Sequence, residues 1–193
     1  MPYIIEQGLN GQEKVYDVFS RMLKDRIIFI TDAIDMPMAN EIVAQLLYLE
    51  SDSPEKDICM YINTPGGRMD AMYAIFDTMS YIKPDITTVG FGEVMSAGTF
   101  LIAAGTKGKR YALPNTQFMI HEISAGTSGK AQEMFNYLDH MKLLYKKFAD
   151  HMAKFTGQKL DKIKKDMTID YYMSAEEAKK YGLIDEVQYR REH

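Results

Sequence analysis

The chain has 193 residues, 46% hydrophobic and 26% charged, which fits one globular domain with a sizeable core. Its net charge of −4, with no dense Lys/Arg run, argues against a nucleic-acid partner, and no apolar run is long enough to span a bilayer. The single cysteine, Cys59, excludes an internal disulfide and points to a reducing compartment, the cytoplasm; the N-terminus lacks the basic region and apolar core of a signal peptide.

Residues 1–14 show no periodicity and carry Gly8 and Gly11, so they read as a flexible arm ahead of one domain over 15–193. Val15–Lys24 predicts a helix with Val15, Val18, Phe19, Met22 and Leu23 on one face. Arg26–Thr31 is a short apolar run, a buried strand at that length. Met38–Leu49 places Met38, Ile42, Leu46 and Leu49 along an amphipathic helix. Asp57–Ile62 is the next strand, and Asn63-Thr64-Pro65-Gly66-Gly67 follows at once. Pro-Gly marks a tight turn, and the second glycine lets a ligand approach the backbone, although a plain turn needs the same residues. Asp70–Tyr81 is then a helix, with Met72, Ile75, Phe76 and Met79 on one face and Pro84 beyond its end.

Ser96 lies between a strand over Ile86–Phe91 and a helix of small residues over Ala97–Ala104. Free N–H groups and the dipole of a helix N-terminus favour negative charge, which suits a nucleophilic serine whose reaction builds an oxyanion. A serine that only caps the helix occupies the same place. Twice, then, a strand ends in a glycine-containing turn that leads into a helix. That alternation argues an α/β domain with ligands beyond the carboxyl ends of the strands, where both turns can face one cleft. Gly105–Arg110 is basic but lacks the spacing of a phosphate loop, and no nucleotide site is readable. Arg110–Leu113 and Gln117–Ile120 are short strands around the Pro114-Asn115 turn, the second ending in His121.

Ser124–Gly129 is a loop that becomes a strand only by pairing with something else. Lys130–Phe155 is a long helix whose Met134, Leu138, Met141, Tyr145, Phe148, Met152 and Phe155 form a heptad-like stripe. Such a stripe can lie on the domain's own core. A helix this long also projects beyond a small domain, so part of the stripe is expected to meet another subunit. Gly157 ends the helix, and Leu160–Met167 is a short Lys-rich one. Asp170 lies in a loop before Ser174, which has capping-box spacing to Glu177 and opens a last helix ending at Gly182.

Ser96, His121 and Asp170 are the residue types of a serine-nucleophile triad, in which histidine takes the serine proton and aspartate orients the imidazole. The order Ser, His, Asp is not that of α/β-hydrolases, and Val94 stands where their elbow has glycine. The chain instead resembles the proteolytic subunit family of the Clp protease (ClpP), as a divergent member, from about residue 4 to residue 187. The resemblance rests on Tyr-Ile-Asn-Thr-Pro-Gly-Gly (61–67), Met-Ser-Ala-Gly-Thr-Phe-Leu (95–101), Ala-Ala-Gly-Thr-Lys-Gly-Lys-Arg-Tyr-Ala-Leu-Pro-Asn (103–115), Met-Ile-His (119–121) and Met-Ser-Ala-Glu-Glu-Ala-Lys-Lys-Tyr-Gly-Leu-Ile-Asp (173–185).

The resemblance implies an α/β, ClpP/crotonase-like fold of repeated strand-strand-helix units with a long projecting handle helix, here residues 124–156. It implies Ser96 as nucleophile, His121 as general base and Asp170 as its orienting partner. The backbone N–H groups of Gly67 and Ala97 would form the oxyanion hole. Peptide bonds are cut through an acyl-enzyme, with no metal or organic cofactor. Family members stack as two seven-membered rings around a closed chamber, joined by the handle. A Clp-type AAA+ ATPase ring feeds in unfolded proteins. Its apolar loops dock in pockets between subunits, where Tyr61, Tyr81 and Tyr111 fall, and the arm at 1–14 would line the axial pore.

Several positions depart from the family pattern. Met95 and Ala97 stand exchanged around the serine. His-Gln-Pro becomes His121-Glu122-Ile123, and the residue before the triad aspartate, usually Arg, is Ile169. Arg68-Met69-Asp70-Ala71-Met72 is bulkier and more charged than usual, and Cys59 and Gln188 replace apolar pocket residues. Met95 is expected to reshape the substrate pocket, and Ile169 to alter the coupling between rings. Two competing readings follow. One is a weakly active or inactive paralogue that completes a mixed ring with a second ClpP-like subunit. The other is a crotonase-like acyl-coenzyme A enzyme, which shares the fold and an oxyanion hole.

Overall fold

The structure is a computed structural model and describes residues 3–7, 12–124, 126 and 128–190. It begins with two strands, β1 (Tyr3–Gln7) and β2 (Glu13–Asp17), paired antiparallel with Tyr3 opposite Asp17 and Gln7 opposite Glu13. Where the sequence reads as a featureless arm, these residues form a ribbon; Gly8 and Gly11 lie outside the described residues. Glu6 ties the ribbon to the first helix through ion pairs with Arg21 and Lys24. That helix, α1 (Val18–Lys24), starts at Val18 rather than Val15. Val15–Asp17 belong to β2, and the Asp17 carboxylate caps the helix by accepting the Ser20 N–H at 3.0 Å. No residue of α1 is fully buried and Val15 is 60% exposed, so the expected apolar face meets the core only in part, through Leu23.

Strands and helices then alternate: β3 (Ile27–Ile30), α2 (Met36–Asp52), β4 (Ile58–Thr64), α3 (Met69–Tyr81), β5 (Ile86–Met95), α4 (Ala97–Ala103), β6 (Arg110–Ala112) and β7 (Gln117–Ile120). Asp35 caps α2, accepting the Met38 N–H at 2.9 Å, and Pro37 sits in the first turn, where a missing N–H leaves no bond unmade. The face α2 buries is Ala39, Ile42, Leu46 and Leu49. β3, β4, β5 and β6 pair parallel in that order, and β9 (Glu186–Val187) extends the far edge. Alternate residues of β4, Ile58, Met60 and Ile62, are fully buried.

The Gly90-Phe91-Gly92 run predicts a strand end at Phe91, yet β5 continues to Met95. Gly92, at φ +63°, kinks it, and the register against β4 shifts between Ile62 and Thr64. A Cβ on Gly92 would lie 2.7 Å from Asn63 Oδ1. That oxygen accepts the Glu93 N–H at 3.0 Å, so the donor at the kink is satisfied. Before the kink, Thr88–Gly90 pair with β6; after it, Glu93–Met95 pair with β7. β7 also pairs antiparallel with β8 (Tyr171–Ser174), a strand where the sequence reads as loop.

The long helix α5 (Ala131–Thr156) ends at Gly157, φ +72°. At 1.5 Å per residue it is about 39 Å long. Its buried residues are Phe148, Ala149 and Met152, all in the C-terminal half. There Phe148 stacks on Phe100 of α4 at 5.1 Å, and Phe76 of α3 meets Phe100 edge-on at 5.2 Å; such pairs contribute about 0.5–1.5 kcal/mol beyond area burial. Leu138 of the expected stripe is exposed, as are Phe135 and Leu143. The stripe is therefore divided between a packed half and a projecting half. α6 (Leu160–Asp166) and α7 (Ala175–Tyr181) follow, and α7 opens with the Ser174/Glu177 capping box and ends at Gly182. Among the described residues no helix is long and apolar enough to cross a membrane.

Candidate active site

Ser96 joins β5 to α4 at φ 53°, ψ −114°. Among the described non-glycine residues only Ser96 and Arg26 have positive φ. Such a conformation costs of order 1–3 kcal/mol and persists where its surroundings impose it. The Ser96 N–H donates to the Met119 carbonyl at 2.8 Å. The Thr99 hydroxyl lies 2.6 Å from the Val94 carbonyl and 2.8 Å from that of Met119. Gly98 packs α4 against Thr64, where a Cβ would come within 2.4 Å of Thr64 Cγ2. One carbonyl, that of Met119, thereby ties the serine turn to β7, two residues before His121.

As N-cap of α4, Ser96 is placed to do what a capping serine does, but its side chain makes no cap hydrogen bond. Its Oγ lies 2.8 Å from His121 Nε2 instead. On the other side of the ring, Nδ1 lies 3.4 Å from Asp170 Oδ1. The β7–β8 ladder explains this approach. Ile120 opposes Tyr171, so the next residues outward are His121 and Asp170. A proton on Nδ1 facing the carboxylate leaves Nε2 as the acceptor for the serine hydroxyl.

The Pro-Gly-Gly turn reaches the same place. The Thr64 hydroxyl donates to the Asp32 carbonyl at 2.6 Å and accepts the Gly66 N–H at 3.1 Å. Gly66 has φ +99°, and a Cβ on it would lie 2.8 Å from Ser96 Cβ and 2.9 Å from the Met95 carbonyl. Gly67 has a steric reason to be glycine beside the expected approach of a ligand: a Cβ there would collide with the Ile34 backbone at 2.1 Å. That strand-like contact is closed by the Ile34 N–H to Gly66 carbonyl and Arg68 N–H to Ile34 carbonyl bonds, both 2.8 Å. Gly67 and Ser96 line one cleft of about 540 Å³. Ala97, buried beside Ser96, is the first residue of α4, and a first helical N–H has no partner within its helix.

Met119, Ile123 and Phe148 give the cleft apolar walls. Met95 is not among its lining residues; it pairs with Met119 across β5 and β7, and Met119 lines the cleft in its place. Arg68, Met69 and Glu122 line it too. Burial, then the negative charge of nearby Glu122, push the Tyr145 phenol of α5 above its usual pKa. A second depression, of about 740 Å³, contains Tyr61 and Tyr111 with Cys59 and Gln188. Tyr81, expected with them, stands 80% exposed at the end of α3 and does not line it within one chain.

One residue of the basic stretch that runs into β6 has a structural use its sequence does not announce. Arg110, 4% exposed, bonds Asp185 through Nε at 2.9 Å and Nη2 at 2.6 Å. Its Nη1 donates to the carbonyls of Ala103, Phe155 and Gly182, which clamps the ends of α4, α5 and α7 together. Among the described residues no group of three or more His, Cys, Asp or Glu side chains is placed to hold a metal ion. Compared with known families, the chain matches the model of the Clp protease family over residues 10–191, nearly its whole length.

Proposed function

The chain belongs to the Clp protease family, whose members are peptidases, and on that footing we propose that it is the serine endopeptidase subunit of an ATP-dependent protease acting on unfolded proteins. The observation that carries this reading is the Ser96 side chain, which forgoes its cap bond and lies 2.8 Å from His121 Nε2. Ser96 Oγ attacks the scissile carbonyl while His121 takes its proton. The C–N bond breaks as His121 returns that proton to the leaving amine. Water then attacks the acyl-enzyme through the same base, and Ser96 is restored. Asp170 holds the imidazole and stabilises its charged form, and the N–H groups of Gly67 and Ala97 receive the oxyanion. The cycle uses no cofactor.

The assembly in this reading is two stacked heptameric rings in the cytoplasm. The projecting half of α5 joins the rings together with the loop expected ahead of it, of which residues 125 and 127 lie outside the described residues, and the β1–β2 ribbon stands at the axial pore. A Clp-type AAA+ ATPase docks over Tyr61 and Tyr111, with Tyr81 contributed from a neighbouring subunit.

Intact-mass detection of labelling by a fluorophosphonate tests the proposal. Wild type labels at one site and Ser96→Ala does not; absence of labelling, alone and with candidate ATPases, sinks it. A second reading is favoured by the 3.4 Å His121–Asp170 separation: a subunit weakly active by itself, with a structural role in a mixed ring. Labelling that appears only on mixing with a second ClpP-like subunit selects that reading.

A further inference from the structure

Three charged residues line the cleft beside Ser96: Asp35, Arg68 and Glu122. Two are already engaged. The Arg68 guanidinium holds Asp70 by two bonds, at 3.0 and 2.6 Å, and Asp35 caps α2. Glu122 is exposed, and Tyr145 of α5 stands near enough to feel its charge. A carboxylate offers about four lone-pair sites, and an exposed one keeps them open to a ligand. Tyr145 and Phe148 are three residues apart on α5 and share a face of that helix. Their spacing sets the carboxylate at the α5 edge of the apolar wall made by Met119, Ile123 and Phe148. An apolar trough with one anionic end is complementary to a side chain with a long hydrocarbon stem and a cationic head.

Resting on the peptidase reading, we propose that Glu122 makes this cleft select a lysine or arginine side chain of the substrate. The stem of that side chain lies along Phe148, Ile123 and Met119. Its cationic head donates a charge-assisted hydrogen bond to the Glu122 carboxylate. An acidic side chain in the same place is repelled by Glu122 and finds Arg68 already paired.

Binding to the full-length Ser96→Ala protein tests this without requiring turnover. The probes are fluorescein-labelled peptides identical except for one scanned residue, which is lysine, norleucine or glutamate. Norleucine keeps the stem and lacks the charge. At low salt the best-placed lysine peptide binds about tenfold more tightly than its norleucine counterpart, and the glutamate peptide binds most weakly; a tenfold ratio corresponds to about 1.4 kcal/mol. The ratio shrinks with added salt. Adding Glu122→Gln removes the lysine advantage, Glu122→Lys reverses it, and Tyr145→Phe retains it. Equal binding of all three peptides, no binding of any, or a lysine advantage that survives Glu122→Gln overturns the proposal. Fluorophosphonate labelling of the wild type reports on the peptidase reading separately. Lysine selection without labelling would sink that reading and leave the selectivity of the cleft in place.

Discussion

The imidazole of His121 and the carboxylate of Asp170 stand 3.4 Å apart, a few tenths of an ångström beyond an ordinary N–H···O hydrogen bond. The pair is in place but not drawn tight, and Asp170 is 55% exposed. Asp170→Asn is expected to lower kcat by roughly 10³–10⁴, because the amide favours the wrong imidazole tautomer. Stability should change by less than about 0.5 kcal/mol, as for other exposed positions. Fluorophosphonate labelling rates and urea unfolding check both halves; labelling at the wild-type rate would remove Asp170 from the machinery.

Gly66 and Gly108 both have positive φ, +99° and +86°, but differ in surroundings. A Cβ on Gly108 meets nothing within 4 Å, whereas one on Gly66 meets Ser96 Cβ at 2.8 Å. Gly108→Ala is expected to cost about 1–2 kcal/mol from backbone strain alone and leave labelling intact. Gly66→Ala carries the same strain and also pushes the serine turn away, so labelling should fall at least tenfold. Equal labelling of the two variants would show that the turn does not position Ser96.

Arg110 and Asp185 form a largely buried pair. Burial alone would raise the Asp185 carboxyl, but its bonds to Arg110 and that residue's charge outweigh it and hold the carboxyl below its usual range. A depressed carboxyl contributes stability above its unfolded value, near pH 4, and loses it as pH falls through the lower folded value. Asp185→Asn leaves a buried guanidinium without its counter-charge and should cost about 3–5 kcal/mol at pH 7. The cost should shrink toward pH 3. Urea midpoints at the two pH values decide it, and a pH-independent cost would contradict the assignment.

His151 of α5 lies edge-on to Phe76 at 5.0 Å and stacks on Phe155 at 5.7 Å. Burial, then Lys147 and Lys154, lower its pKa; Asp77 of α3 and Asp150 pull the other way without prevailing. The unfolded chain therefore takes up a proton near pH 6.5 before the folded one does. This contribution is complete above that pH and is lost as pH falls below it. His151→Phe should gain stability relative to wild type between pH 7.5 and pH 5.5. A wild-type-to-variant difference that is the same at both pH values would refute this.

Residue periodicity located α2, α3 and α5 to within a few residues because each buries a face at helical spacing. β8 was not legible, since Tyr171-Tyr172-Met173 is too short to show alternation and forms a strand only against β7. With it went the reason Asp170 meets His121, although the three residue types could be named. The extension of β5 was hidden for a related reason: Gly92 reads as a terminator, and only Asn63, distant in sequence, turns it into a kink. The ribbon of residues 3–7 and 13–17 shows the same limit, because its ties run through Glu6 to Arg21 and Lys24 rather than through an apolar pattern.

The Met119 carbonyl, which accepts the Ser96 N–H and lies in reach of the Thr99 hydroxyl, has a consequence for divergence. Of the bonds that place the serine turn beside β7, one is main chain to main chain and the other needs only a hydroxyl at position 99. The side chains flanking the serine make neither of them. The side chains at 95 and 97 therefore do not set the distance from serine to histidine, although Ala97 is buried and a larger residue there needs room made by its neighbours. Variation there alters what surrounds the reaction and leaves its coordinates alone.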